Sequence, residues 1–138
     1  MTKRSIPAAL RRRLLLEARC RCAYCRTPTA LSGARMVVDD IVPEAVGGPT
    51  KFENLCLACH SCNEFKGAQV ASRDPFTRKL VPLFHPRRQR WSDHFRWSPD
   101  GSRIVGMTPG GRATCLALNL NHPLIVEARR LWAAVGWH

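Results

Sequence analysis

Two cysteine pairs with metal-ligand spacing, Cys22-Ala23-Tyr24-Cys25 and Cys59-His60-Ser61-Cys62, bracket a stretch that carries Asp39, Asp40 and Asn54, and Asn63 follows directly. Two C-x2-C units supply four thiolates, the ligand set of a closed tetrahedral zinc site in which the metal is a structural staple. Closing that site would bring Asp39, Asp40, Asn54 and Asn63 toward one another despite their separation in sequence. Cys20 rivals Cys22 as a ligand, but the spacing pairs Cys22 with Cys25. Cys20, Cys56 and Cys115 are left for packing, where a free cysteine behaves as a small hydrophobe.

The charge map points to a polyanion. The net charge of +12 comes from 18 Arg and 4 Lys against 10 acids. It is unevenly placed: residues 39–64 hold Asp39, Asp40, Glu44, Glu53 and Glu64 against Lys51, whereas both flanks are strongly basic. An acidic island within a basic surface is what a divalent-cation site on a polyanion-binding face requires. Arginine over lysine favours phosphate, because the guanidinium fork binds its oxygens in pairs. The plainer reading of the same map is a solvated basic surface.

At 138 residues the chain fits one compact domain, and 45% apolar residues exclude disorder, while 10 Pro and 9 Gly imply many turns. After Met1-Thr2-Lys3-Arg4 no apolar run is long enough for a secretory leader or a membrane span. A reducing, cytoplasmic setting is expected, where clustered thiols bind metal more readily than they pair.

The elements that must position these residues follow in order. Ser5 is expected to cap a first helix with Pro7 in its first turn, Leu10, Leu14 and Ala18 on its apolar face, and Lys3, Arg11, Arg12 and Arg13 on the other. Met36 to Val42 reads as a strand ending at Pro43, Gly47-Gly48-Pro49-Thr50 as a turn, and Phe52 to Leu57 as the return. From Cys59 or Ser61 to about Val70 a short helix is expected, which completes a ββα unit. Leu80 to Phe84 reads as extended, Trp97 to Val105 as a hairpin, and Arg112 to Leu118 and Pro123 to Trp137 as helices. Between them Arg87, Arg88, Arg90, Trp91, Phe95, Arg96 and Trp97 interleave basic and aromatic residues. That pattern suits nucleic-acid stacking and phosphate contact, or buried aromatics beside solvated arginines.

On these residues the chain resembles the HNH endonuclease family, of the ββα-metal class, in its zinc-containing branch. The resemblance rests on both cysteine pairs, Asp40-Ile41-Val42-Pro43, Gly47-Gly48, Asn54-Leu55, and Cys62-Asn63 with Lys66-Gly67. It continues through Asp74-Pro75, Pro82-Leu83-Phe84, Pro86-Arg87-Arg88, Trp91 and Gly111-Arg112-Ala113-Thr114. It implies an α+β fold over 1–138: a ββα-metal core at about 36–71, zinc knuckles at 22–25 and 59–62, an N-terminal helix, and a hairpin-plus-helices extension over 72–138. It further implies that Asp39 and Asn63 hold a catalytic Mg²⁺ or Mn²⁺, that Asn54 orients the loop, and that DNA is the substrate. Lys66, Arg87 and Arg88 are the expected phosphate contacts.

One position departs from the family pattern: Asp40 stands where the general-base His belongs. An aspartate of pKa about 3.9 is a weaker proton acceptor than a histidine of about 6.5, and a Brønsted slope of about 0.5 turns that gap into a penalty of roughly tenfold to a hundredfold. Two adjacent carboxylates also repel a phosphodiester unless a metal or Arg and Lys neutralise them. Asp40 is therefore a weak base or a second metal ligand. His60 and His85 are poor substitutes, the first tied to a zinc knuckle and the second placed by no motif. The alternatives to an active nuclease are a nuclease fold that binds nucleic acid without cutting it, and a zinc-stabilised module for a protein partner.

Overall fold

A computed structural model describes residues 5–33 and 35–136. The sequence expectations for Lys3 and Trp137 lie outside those residues.

Helix α1 spans Ala8–Ala18 and follows Pro7, whose fixed φ starts the helix with no side-chain cap, so Ser5 does not cap it. It buries Leu14 and ends with Arg19 in the left-handed conformation. Cys20 follows with φ 56°, and together these two residues swing the chain into the first cysteine pair. Cys20 is exposed there, so it does not pack as a core thiol. A short helix α2, Thr29–Ser32, leads to strand β1, Met36–Asp40.

Strand β1 pairs antiparallel with β2, Leu55–Cys59, in a regular ladder that sets Asp39 opposite Cys56 and Asp40 opposite Leu55. The connection from 41 to 54 is clamped at its ends. Asn54 accepts the Val42 N–H at 2.9 Å and donates to the Val42 and Pro49 carbonyls, each at 2.9 Å, while the Ile41 N–H reaches the Asn54 carbonyl at 2.8 Å. These bonds end the ladder at Asp40, before the apolar run of the sequence does. Gly48 is required at this point, because a Cβ there would overlap the Val42 carbonyl.

Helix α3, His60–Lys66, begins directly after β2, capped by the Cys59 sulfur, which accepts the Cys62 N–H at 3.4 Å. It stops at Gly67, whose positive φ ends it short of Val70. Elements β1, β2 and α3 make the ββα unit.

The remaining chain packs two small hairpins and two helices onto this unit. Strands β3, Ala71–Arg73, and β4, Leu80–Pro82, pair antiparallel. After the one-turn helix α4, Trp91–His94, strands β5, Phe95–Trp97, and β6, Ile104–Gly106, form the second hairpin. Asp100 closes its turn by accepting from the Ser98 and Ser102 hydroxyls and the Ser102 N–H, and these bonds pull its carboxyl down to about 2. Helix α5, Pro109–Ala117, starts earlier than expected because Thr108 caps it by accepting the Gly111 N–H at 3.0 Å. Helix α6, Pro123–Ala134, is capped by His122.

Asp74 ties this extension together. Its buried carboxylate takes both the Nε and Nη2 of Arg112, at 2.8 and 2.9 Å, and caps the turn at Phe76 and Thr77. One apolar core runs from Leu14 through Leu55, Leu57 and Phe84 to Phe95, Ile104 and Leu118. The architecture is α+β, with short antiparallel pairs and helices around a ββα centre. Among the described residues no helix is long and apolar enough to cross a membrane.

Candidate metal and nucleic-acid site

The four expected zinc ligands meet. The Sγ atoms of Cys22, Cys25, Cys59 and Cys62 lie within 4.8 Å of one another, and Cys25 and Cys59 are 3.7 Å apart. A tetrahedral zinc with Zn–S of about 2.3 Å needs S···S edges of about 3.8 Å, so the thiols fit the ion nearly as they stand. The Cys25 N–H donates to Cys22 Sγ as the Cys62 N–H does to Cys59 Sγ, which orients one sulfur of each pair. Burial holds the Cys22 thiol up, and hydrogen bonds from neighbouring thiols push Cys62 up and Cys25 and Cys59 down. Four clustered sulfurs, three of them buried, cannot all ionise without a dication among them, so zinc binding would release protons. His60 plays no part: it is exposed and pairs with Glu64 at 3.1 Å.

Strand alternation points Asp39 toward α3 and sends Asp40, the next residue of an unbroken ladder, to the other side. Asp39 is 2% exposed and fully engaged. The Tyr24 hydroxyl donates to it at 2.7 Å, Asn63 Nδ2 at 3.1 Å and Lys66 Nζ at 3.3 Å, with the Cys56 thiol at 3.7 Å. Burial pushes its carboxyl above the ordinary value and the Lys66 ammonium opposes that shift. Asp39 and Asn63, 24 residues apart, are thus in contact.

Lys66 is not solvated. It is 1% exposed, and its ammonium also donates to the Asp40 carbonyl at 2.9 Å. A phosphate would meet it only after it left Asp39. The donor set around the ammonium is the Asp39 carboxylate and the Asp40 carbonyl, with the Asn63 amide beside them. Hard oxygens of this kind suit Mg²⁺ or Mn²⁺.

Arg87 is likewise committed inside the fold. It pairs with Glu17 at 2.8 Å, donates from Nε to the Leu55 and Phe52 carbonyls, and stacks 4.0 Å over the Phe52 ring. Arg88 is exposed on the wall of a cavity of about 310 Å³ that Ile41, Lys66 and His85 also line. His85 accepts the Arg87 and Arg88 N–H groups at Nδ1, each at 3.2 Å, and burial and Arg88 hold its pKa down. That nitrogen's lone pair is taken, so it cannot act there as a base.

Two residues that the sequence reading passed over shape the site. Tyr24, the single tyrosine, sits between two zinc ligands and reaches Asp39, so it joins the zinc knuckle to the acid. Its only sequence signal is an amphipathic ring fixed between two cysteines. Arg129 is fully buried, donates to the Ser102 and Leu120 carbonyls, and lines a cavity of about 530 Å³ together with Cys25, Cys59 and Cys62. Its place one turn after Val126 on the inner face of α6 was the legible hint.

Residues 22–80 match the family described as HNH endonuclease. A segment of the CRISPR-associated endonuclease Cas9 of Corynebacterium diphtheriae is 49% identical over 49 residues, which is 35% of this chain and 4% of that protein. The aligned part is thus a small fraction of that relative's length. No solved structure matches the chain.

Proposed function

We propose, from the match of residues 22–80 to the family described as HNH endonuclease, that the chain is a metal-dependent endonuclease hydrolysing DNA phosphodiester bonds. The observation that carries the proposal is the meeting of Asp39 and Asn63 beside a buried cation at the end of β1. A divalent ion held there would neutralise a scissile phosphate and lower the pKa of a water.

The chain's own residues divide the remaining work. Asp39 and Asn63 would hold the metal, Asn63 through its Oδ1. Asn54 fixes the loop that follows the strand, so the Asp40 backbone is held in place. Asp40 takes the proton of the attacking water. Lys66 neutralises Asp39 where a dication would otherwise do so and would have to give way to one, and Arg88 meets phosphate on the rim. Arg87 supports β2 and α1 from within. Residues 36–71 form the working core, 72–136 brace it, and the protein acts in a reducing cytoplasm where its thiols hold zinc.

A second reading is favoured by two features together. Lys66 already neutralises Asp39, and Asp40 is a poor base pointing away from it. On this reading the fold binds DNA without cutting it. Incubation of zinc-loaded protein with supercoiled plasmid and Mg²⁺ or Mn²⁺ tests the first reading. Nicking that disappears in Asp39→Ala and Asn63→Ala is the expected result, and cleavage that survives Asp39→Ala contradicts the metal assignment.

A further inference from the structure

Apart from the Asp39 site, the junction of α1 and the first zinc knuckle encloses a cleft of about 330 Å³ with an unusual charge. Arg19, Arg21, Arg26 and Arg87 line it, and Glu17 is the one acid among its walls. Glu17 already pairs with Arg87 at 2.8 Å. Among the described residues no carboxylate forms an ion pair with Arg19, Arg21 or Arg26. Arg87 Nη2 is buried and has no hydrogen-bond partner. The cleft therefore concentrates guanidinium donors around an unfilled space.

The backbone holds these side chains in place at a cost. Arg19 and Arg26 both have positive φ, 52° and 65°, a conformation that disfavours any residue with a Cβ and that glycine adopts freely. Arg19 caps α1 through its N–H to the Leu16 carbonyl, and the Arg26 N–H closes the knuckle on the Cys22 carbonyl. The positions are thus set by the helix end and by the zinc turn.

The cleft also leads toward the reacting end of β1. It shares Phe84 and Gln89 as walls with the cavity that holds Arg88, His85 and Lys66. Basic groups consequently follow one another from the zinc knuckle to the Asp40 carbonyl.

We propose that this cleft is a phosphate-binding site for the nucleic-acid backbone, in which Arg19, Arg21 and Arg26 grip a phosphodiester remote from the scissile one and set the strand's direction across the metal site. The assignment rests on the nuclease reading for the identity of the polyanion. It moves the main backbone grip from the Arg87-Arg88 stretch to the helix–knuckle junction. Bidentate guanidinium contacts give this grip geometry as well as charge.

The left-handed backbone supplies the test. Arg19→Gly with Arg26→Gly removes two charges while easing both strained positions, so weaker binding is not ascribable to unfolding. Arg11→Ala with Arg12→Ala removes the same charge from the exposed face of α1. Anisotropy of a labelled 20-base-pair DNA duplex is measured against salt, using zinc-loaded protein with no other divalent cation added. The glycine pair is expected to weaken binding roughly tenfold or more. It should also lower the slope of log affinity against log salt by about two. The alanine pair should change affinity by less than about twofold. Equal losses in the two pairs would overturn the cleft while leaving the nuclease reading intact. A wild-type protein that fails to bind the duplex at low salt would overturn both.

Discussion

Lys66 Nζ lies 3.3 Å from each carboxylate oxygen of Asp39, and both side chains are almost wholly buried. A charge pair in that setting is held by geometry, because each ion has lost its water and keeps only its partner and its hydrogen bonds. Asp39 has two further donors in Tyr24 and Asn63, and Lys66 has the Asp40 carbonyl. The lysine is in effect a tethered cation at the place where a metal would neutralise the same carboxylate.

Breaking the pair from one side should therefore be costly. Lys66→Met is expected to destabilise the zinc-loaded protein by about 3–5 kcal/mol, and Asp39→Asn added to it should recover most of that loss. Urea denaturation of the single and double variants checks this. Added Mg²⁺ should raise the melting temperature of Lys66→Met more than that of the wild type, because the dication replaces the missing charge. Equal shifts would deny that Lys66 and the metal share a position.

Asn54 carries three bonds to the loop between β1 and β2. Asn54→Ala should cost about 3 kcal/mol, at about 1 kcal/mol for each bond lost. Hydrogen exchange should quicken at the Val42 amide, which loses its acceptor, while α6 amides stay protected. Uniform acceleration across the chain would show a global effect instead.

The zinc knuckles should behave as a folding unit. Apparent zinc binding energies of about 10–16 kcal/mol are typical of such sites, so Cys22→Ser or Cys59→Ser is expected to give unfolded or insoluble protein. Chelation should melt the ββα unit, as read by loss of ellipticity with one zinc released per chain. A soluble, folded, zinc-free variant would contradict this account.

The Asp74–Arg112 pair predicts a flat pH response. Arg112 holds the Asp74 carboxyl well below its ordinary value of 3.8, so the pair's contribution is complete above that value and lost as pH falls through the depressed one. Asp74→Asn should lower the urea midpoint by the same amount at pH 5, 6 and 7. A gap that changes across this window would mean that another group carries the effect.

Much of this was legible in the chain, and the rest was hidden for physical reasons. The spacing of Cys22, Cys25, Cys59 and Cys62 identified a tetrahedral set because two C-x2-C turns each present sulfurs at one point. The strand before Pro43 followed from β-branched residues, and a helix after Cys59 was expected, but its end was placed near Val70 because the Gly67 stop went unread. Lys66 and Arg87 are expected from the sequence as phosphate contacts, because a charged side chain carries no sign of its partner. Those partners, Asp39 and the Phe52 and Leu55 carbonyls, come from segments brought near only by the fold. The start of α5 was masked by Pro109-Gly110-Gly111, which reads as a turn until Thr108 is seen to cap it. Asp40 shows the limit most plainly: its type was readable, but the side of the strand it faces depended on a register that only the paired β2 defines.

The central claim is that the metal frame is intact and the base position is weak. Initial rates of plasmid nicking in Mn²⁺ by wild type, Asp40→His and Asp40→Asn, each zinc-loaded and matched for duplex binding, test it most directly. Nicking by the wild type that rises roughly tenfold to a hundredfold in Asp40→His and falls in Asp40→Asn is the predicted result, in line with the pKa gap between the two bases. No nicking by Asp40→His, despite unchanged DNA binding, would contradict it and show that Asp39 and Asn63 do not hold a catalytic metal.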